Sequence, residues 1–479
     1  MQRSRLSNPS VGRSSHPWDR TGGPDQARNR LAGQPGAACT VSAMATDAGG
    51  STGDVPIGGT EVLADLEARD LFQDSTDREA LAARLERPTP LYCGFDPTAD
   101  SLHIGNLQSI MLLVRFQAAG HPPFALVGGA TGMIGDPSGR SEERQFLDSS
   151  VLDANRTSIG EQLGRFLDFD GPAAATLVDN RDWTEPVGVL EFLRDVGKYV
   201  TVNTMLAKDS VRSRLSRESG ISFTEFSYML LQANDFRILH RDHGVDLQVA
   251  GSDQWGNIVA GVDLVRRHTG DTVHGLTAPL IVRSDGSKFG KSEGENVWLS
   301  AEHTSPWRMY QYFLNVADDD VGPLLLRLTM LPVDDCHRVA AEHATAPESR
   351  AGQRRLAREV TSLVHGPEVI GPIEAAASVL FGGSLDGADQ AAFELLAAEV
   401  PTTALSAAEL ADADVPGLFV RTGLSKSKGE VRKNAAGHYV NQQSVALRDA
   451  TEVSGEELLH GRYLLLRKGK SRHHLVVVS

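Results

Sequence analysis

A short apolar run, Leu91–Phe95, breaks at the turn Asp96-Pro97-Thr98, and an amphipathic pattern then runs from near His103 to about Ala119. The same order of signals recurs twice. Apolar Pro123–Val127 ends in GGATGMIGDPSG (128–139), and Leu247–Ala250 runs into GSDQWGN (251–257) and a helical stretch to about His268. Apolar strands alternating with helices predict an α/β domain built on a doubly wound parallel sheet, which takes its ligands outside the carboxyl ends of the strands. The turns that follow these runs are therefore the first places to look for chemistry.

In the first turn, His103 and Asn106 are spaced to share one face of a helix, beside unpaired backbone N–H groups and the positive dipole end that favour an anion. An ordinary capped βα turn would use the same residue types. In the second, Asp136 stands among glycines that let backbone approach a ligand closely. In ISFTEFSYMLLQANDF (221–236), Tyr228, Gln232 and Asp235 fall at i, i+4 and i+7 and line one helix face, where buried polar groups must find partners. Capping of a neighbouring loop would also place them so. Asp253 and Gln254 project after the third strand. Lys288 and Lys291 sit in the Gly- and Ser-rich loop SDGSKFGKSEG, suited to closing cationic donors over a polyphosphate.

The remaining pattern predicts helices at Leu63–Leu71, Arg78–Leu85, Ser150–Leu167 and Val187–Val196, a strand at Thr176–Val178 and a last short strand at Pro279–Arg283. Beyond Ser305 only helical periods follow for some distance, among them Pro306–Leu314, Val321–Leu328 and Ser349–His365. The resulting division is 1–55 as a disordered extension, 56–304 as the sheet domain with an insertion, 305–405 as an all-helical domain, 406–416 as a linker, and 417–479 as a small basic α+β domain. In the last, a basic helix precedes a turn and strand, and Tyr463–Lys468 pairs with His473–Val478. Residues 1–55 are rich in Ser, Gly, Pro and Arg and show no sustained apolar period, so they bury too little to offset ordering entropy. A transit peptide and a translation start at Met44 are alternative readings of that stretch, the latter preferred.

Charge separates the modules. The whole chain carries −15, yet Gly417–Ser479 holds eleven Lys/Arg against five Asp/Glu. An acidic body does not coat nucleic acid nonspecifically, whereas a basic terminal module is a candidate RNA-binding arm. Three scattered cysteines, Cys39, Cys93 and Cys336, offer neither a disulfide framework nor a zinc site. No apolar run reaches the roughly 20 residues needed to span a bilayer, so no membrane partner and a cytoplasmic, reducing location are expected.

Together these pieces closely resemble the bacterial-type tyrosyl-tRNA synthetases, a family of class I aminoacyl-tRNA synthetases, from about Glu61 to the C-terminus. His103-Ile104-Gly105-Asn106 is similar to the family's HIGH signature with Asn in the last position. Lys288-Phe289-Gly290-Lys291-Ser292 is similar to its KMSKS signature. The order of the two, with GFDPTADSLHIG, GGATGMIGDPSG, ISFTEFSYMLLQANDF and GSDQWGN between or around them, is far more specific than either alone.

The resemblance implies a Rossmann-like catalytic domain, an anticodon-binding helical domain and a small RNA-binding domain. It implies substrates and partners too: L-tyrosine, ATP with Mg²⁺ on its phosphates, tRNA(Tyr) and a second copy of the chain in a homodimer. Tyr92 and Asp235 would bind the substrate phenol, and Asp136, Tyr228 and Gln232 its α-ammonium. Asp253 would hold the ribose, with Cys93, Gly94, Asp96, Gly105, Gln254 and Lys291 completing the ATP site. Thr98, His103, Asn106, Lys288, Lys291 and Ser292 would act on the phosphates. Arg140 and Arg144 would meet the tRNA acceptor stem, and Lys426, Lys428, Arg432 and Lys433 would contact tRNA from the basic module. No residue is assigned as a metal ligand. Rival readings are the related tryptophan enzyme, a small-molecule adenylyltransferase and a non-catalytic RNA-binding relative. The first would want a pocket without the Tyr92–Asp235 pair, the second would not need the terminal domains, and the third would have lost the phosphate residues.

Overall fold

A computed structural model of the chain describes residues 61–136, 148–216, 220–287, 289–292, 295–385, 387–448 and 452–479. The expected disordered extension lies outside these residues, as do Arg140, Arg144 and Lys288.

The first sheet domain is built on six strands: β1 (Asp74–Ser75), β2 (Leu91–Phe95), β3 (Pro123–Val127), β4 (Thr176–Asp179), β5 (Leu247–Gly251) and β6 (His274–Ala278). They lie in the order β1-β6-β5-β2-β3-β4, with β1 antiparallel at one edge and the other pairings parallel. The chain moves outward from β2 through β3 to β4, then returns to place β5 on the other side of β2. The topological switch therefore falls between the carboxyl ends of β2 and β5, the place where such sheets bind ligands. Strands β2 and β3 are buried along nearly their whole length, and Gly94 is the exposed exception on β2.

One expected strand is displaced. Pro279–Arg283 belongs to no strand of the sheet; the strand in this part of the chain is β6, His274–Ala278, paired between β1 and β5, while Leu280 and Val282 are half exposed. HGLTA carries little of the β-branched signature that marks a strand, and its burial comes wholly from its neighbours.

The helix Ile104–Ala118 packs beneath the sheet and reaches from the switch point to the next domain. Near its end, fully buried Arg115 donates to the carbonyl oxygens of Leu326 and Thr329 and pairs with Asp65, while Arg69 donates to those of Leu326 and Leu331. These arginines cap the orphan carbonyls closing the helix Asp318–Leu328. Burial pushes the Arg115 guanidinium down to about 9, with the neighbouring Arg69 adding to that effect and Asp65 opposing it.

Two short strands, β7 (Lys291–Ser292) and β8 (Glu295–Asn296), pair after the sheet, and helices then fill the chain to Glu399. The C-terminal sheet contains β9 (Thr402–Leu405), β10 (His438–Val440), β11 (Gln443–Ser444), β12 (Tyr463–Lys468) and β13 (Arg472–Val478), ordered β11-β10-β12-β13-β9. Its presence moves a boundary. Thr402–Leu405, expected to close the helical domain, runs parallel to β13, and the expected linker 406–416 holds the helix Ala407–Ala411 and buried Leu410 and Val415. A four-residue strand that pairs with the end of the chain leaves no local periodic signal.

Candidate active site

The signature helix starts on a reciprocal cap. His103 Nδ1 accepts from the Gly105 N–H at 3.0 Å, and Asn106 Oδ1 accepts from the His103 N–H at 3.1 Å. Asn106 thus spends its oxygen on the cap, which turns its amide so that Nδ2 is the end left to donate. Thr98 lies exposed in the preceding loop.

The second signature is laced to the first. Ile104 N–H donates to Val297 O and Leu299 N–H to Leu102 O, each at 2.8 Å, and His103 bridges Trp298. Gly290 is held by its N–H to Tyr312 Oη at 3.1 Å and by its carbonyl to Val297 N–H. With φ +93° and an added Cβ only 2.8 Å from Ile104 Cγ2, position 290 requires glycine. Lys291 and Ser292 form β7, so their backbone enters the site beside the signature helix.

At β2, Tyr92 lies in an apolar cluster with Phe124, Leu126 and Phe236, and a set of polar side chains gathers beside it. Tyr92 is buried with its ring edge-on to Phe236 at 5.3 Å, and its hydroxyl has no hydrogen-bond partner among the described residues. Gln232 Oε1 is unpartnered in the same way. Others of this kind are scattered through the described residues; these two share the end of the sheet where a ligand enters, and a polar ligand there can supply the missing bonds. Asp235 is buried, accepting from Asn180 Nδ2 at 3.0 Å and Trp183 Nε1 at 2.8 Å. Burial pushes its carboxyl up to about 7 against the pull of those two donors. Burial, then Asp235, hold the Tyr92 phenol well above its ordinary range.

Asn180 also reaches Thr131 Oγ1 at 3.0 Å, Thr131 donates to Asp96 Oδ1 at 2.7 Å, and Tyr228 Oη donates to Asp96 Oδ2 at 2.9 Å. Asp96 is therefore tied to Tyr228. Gly128 makes this possible, since a Cβ there would stand 2.2 Å from Asp96 Oδ1. Farther out, Gln254 Nε2 donates to Asp136 Oδ2 at 2.6 Å, and exposed Asp253 is next to it. Buried Cys93 keeps its proton, because burial and then Asp253 push the thiol up to about 12. It is not a nucleophile.

The residues read from sequence on β2, on the signature helix, on the helix Phe223–His243 and after β5 thus converge on one switch point. Asn180, Trp183, Thr131, Lys208 and Asn257 join them without having been singled out. Asn180 and Trp183 follow the carboxyl end of β4, and that position was the available signal. Lys426, Lys428, Arg432 and Lys433 lie apart, exposed on the C-terminal module, where Lys428 and Arg432 pair with Asp414 at 2.7 and 3.8 Å.

Comparison with known proteins agrees with this geometry. Residues 84–382 match the family model described as tRNA synthetases class I (W and Y). A tyrosine–tRNA ligase of Opitutus terrae is 50% identical over 423 residues, covering 87% of this chain and 99% of that protein. The corresponding protein of Bacillus caldotenax is 45% identical over 420 residues, with the same coverage of each chain. The crystal structure of a C-terminally truncated Aspergillus nidulans mitochondrial tyrosyl-tRNA synthetase superposes with a TM-score of 0.61 at 33% identity, over 67% of this chain and 94% of that one. With a polar cluster at the switch point, two interlaced signatures and relatives that match along most of its length, the chain belongs to the class I tRNA synthetases of the W and Y group.

Proposed function

We propose that the chain is a tyrosine–tRNA ligase: it activates L-tyrosine with ATP to tyrosyl-adenylate, releasing pyrophosphate, then transfers tyrosine to the terminal ribose of tRNA(Tyr), releasing AMP. The observation that carries this reading is the buried Tyr92 hydroxyl, without a hydrogen-bond partner among the described residues and close enough to the buried Asp235 carboxyl to feel its charge. A phenol is a group of the right size and polarity to satisfy both. The name shared by relatives at 45–50% identity supports the same substrate.

In this reading Asp136, Tyr228 and Gln232 receive the α-ammonium, and Cys93, Gly94, Asp96, Gly105, Asp253 and Gln254 form the ATP site. The tyrosine carboxylate attacks the α-phosphorus, and charge grows on the leaving pyrophosphate. The backbone N–H groups opening the signature helix, with Thr98, His103, Asn106, Lys288, Lys291 and Ser292, stabilise that charge as it develops. No covalent enzyme intermediate is needed. Mg²⁺ arrives on the ATP phosphates as part of the substrate. Arg140 and Arg144 take the acceptor stem. The helical domain holds the anticodon, and the basic module grips the tRNA backbone through Lys426, Lys428, Arg432 and Lys433.

No helix among the described residues is long and apolar enough to cross a membrane, and the reading places the work in the cytoplasm. A second copy of the chain is its partner. Exposed Val189, Leu190 and Phe223, at 75, 84 and 77%, are apolar side chains that such a contact would cover.

The test is exchange of labelled pyrophosphate into ATP with tyrosine, tryptophan or phenylalanine. Tyrosine-dependent exchange is expected; exchange driven best by tryptophan would move the chain to the other half of its family, and none in folded protein would overturn catalysis.

A further inference from the structure

Lys208 stands at the N-cap position of the helix Asp209–Leu215 without capping it through its side chain, which reaches instead toward the residues after β5. Its stem passes Gly256, where a Cβ would lie 3.4 Å from Lys208 Cε. Its Nζ donates to Asn257 Oδ1 at 2.9 Å. Buried Asn257 donates through Nδ2 to Gln254 Oε1 at 2.9 Å, and Gln254 donates through Nε2 to Asp136 Oδ2 at 2.6 Å.

A carboxamide can be turned end for end at little steric cost, so partners decide which end faces which neighbour. An ammonium has donors only. Lys208 therefore demands the oxygen of Asn257, which sends the Asn257 N–H groups to the oxygen of Gln254, which in turn sends the Gln254 N–H groups to the carboxylate. Turned the other way, Gln254 would set an amide oxygen against a carboxylate oxygen. Holding a cation in so shielded a place is costly, as burial draws the Lys208 ammonium down to about 7 with Asp136 opposing.

We propose that Lys208 is a positioning residue for tyrosine binding, setting the direction of the Asn257 and Gln254 amides so that Asp136 is held by a donor and kept aimed at the substrate ammonium. The inference rests on reading Asp136 as part of the ammonium site.

The experiment is pyrophosphate exchange by the full chain, with tyrosine and ATP varied separately, for Lys208→Met, Asn257→Asp and Asp136→Asn. Asn257→Asp is the sharper variant. A carboxylate there keeps the lysine, and indeed pairs with it, but has no N–H to offer Gln254, so the relay is broken while the anchor is preserved. Both Lys208→Met and Asn257→Asp are expected to raise KM for tyrosine about tenfold, the size of one lost charge-assisted hydrogen bond, with KM for ATP and kcat changed less than about twofold. A wild-type tyrosine KM in folded Asn257→Asp, with Asp136→Asn impaired, overturns the relay and leaves the ammonium site standing. An unimpaired Asp136→Asn overturns the ammonium site and the relay with it.

Discussion

His103 and Trp298 are joined twice: their backbones form an antiparallel bridge and their rings meet edge to face with centroids 6.1 Å apart. Trp298 also lies 5.6 Å from the His303 ring, and His303 Nε2 bonds Asp100 Oδ1 at 2.8 Å. The residue that follows the lysine loop thus braces the histidine of the first signature. Trp298→Ala should lower kcat of pyrophosphate exchange about three- to tenfold, the worth of an aromatic contact near 1 kcal/mol, and leave the tyrosine KM in place. A changed tyrosine KM at constant kcat would show that the brace serves the wrong substrate.

Tyr92→Phe separates binding from stability. Its hydroxyl has no hydrogen-bond partner among the described residues, so removing it should cost no stability and can add up to about 1 kcal/mol, since an unsatisfied buried group is relieved. Tyrosine KM should rise about five- to tenfold in the same variant. Chemical denaturation and exchange kinetics measured together decide it, and a clear loss of stability would mean the hydroxyl is already bonded.

Asp235 makes stability depend on pH in a defined direction. Its folded carboxyl titrates near 7 against 3.8 for the ordinary group, so between about pH 4 and 7 the folded state binds more protons than the unfolded one. Stability from this site is complete below pH 4 and declines as pH rises through 7. Relative to Asp235→Asn, the wild type should lose on the order of 2–4 kcal/mol from pH 4 to 8, at about 1.4 kcal/mol per pKa unit. Urea midpoints across that range test it. A flat difference between the two proteins would show that the carboxyl is ionised throughout.

The boundary of the C-terminal module predicts how truncations behave. Cutting before Gly417 severs the helix Val415–Arg421 and strips β9 of its partner β13, exposing Leu405 and Leu410. Cutting after Val400 removes the sheet whole. The shorter protein should stay monodisperse, retain pyrophosphate exchange within about twofold and lose at least about tenfold in tRNA charging at physiological salt, as lost phosphate contacts require. Equal charging would remove the RNA role of the module.

Phe223→Asp should convert a dimer to a monomer in sedimentation velocity without unfolding it, because the ring is already 77% exposed within one chain. A wild-type sedimentation pattern would place the subunit contact elsewhere.

Much of this was open to reading along the chain. The strands Leu91–Phe95 and Pro123–Val127 were bounded correctly, because they are buried on both faces and end at Asp-Pro and Gly-Gly. The signature helix and the faces of Tyr228, Gln232 and Asp235 followed from period alone, since a helix sets the side of each residue before anything packs on it. Strand β6 and strand β9 were misplaced or missed for the opposite reason: His274–Ala278 and Thr402–Leu405 are extended because of distant strands that pair with them.

The sequence by itself determined the alternation of strand and helix, the order of the two signatures and the charge of the final module, all properties of neighbours along the chain. Only the tertiary structure decided that Asn106 would cap His103, that Asn180 and Trp183 would hold Asp235, and that Lys208 would face Asn257. Those pairings need side chains with directional donors and acceptors brought within about 3 Å, and except for the cap they join residues 49 or more apart in sequence. Chain closure supplies that approach, and no local pattern encodes it.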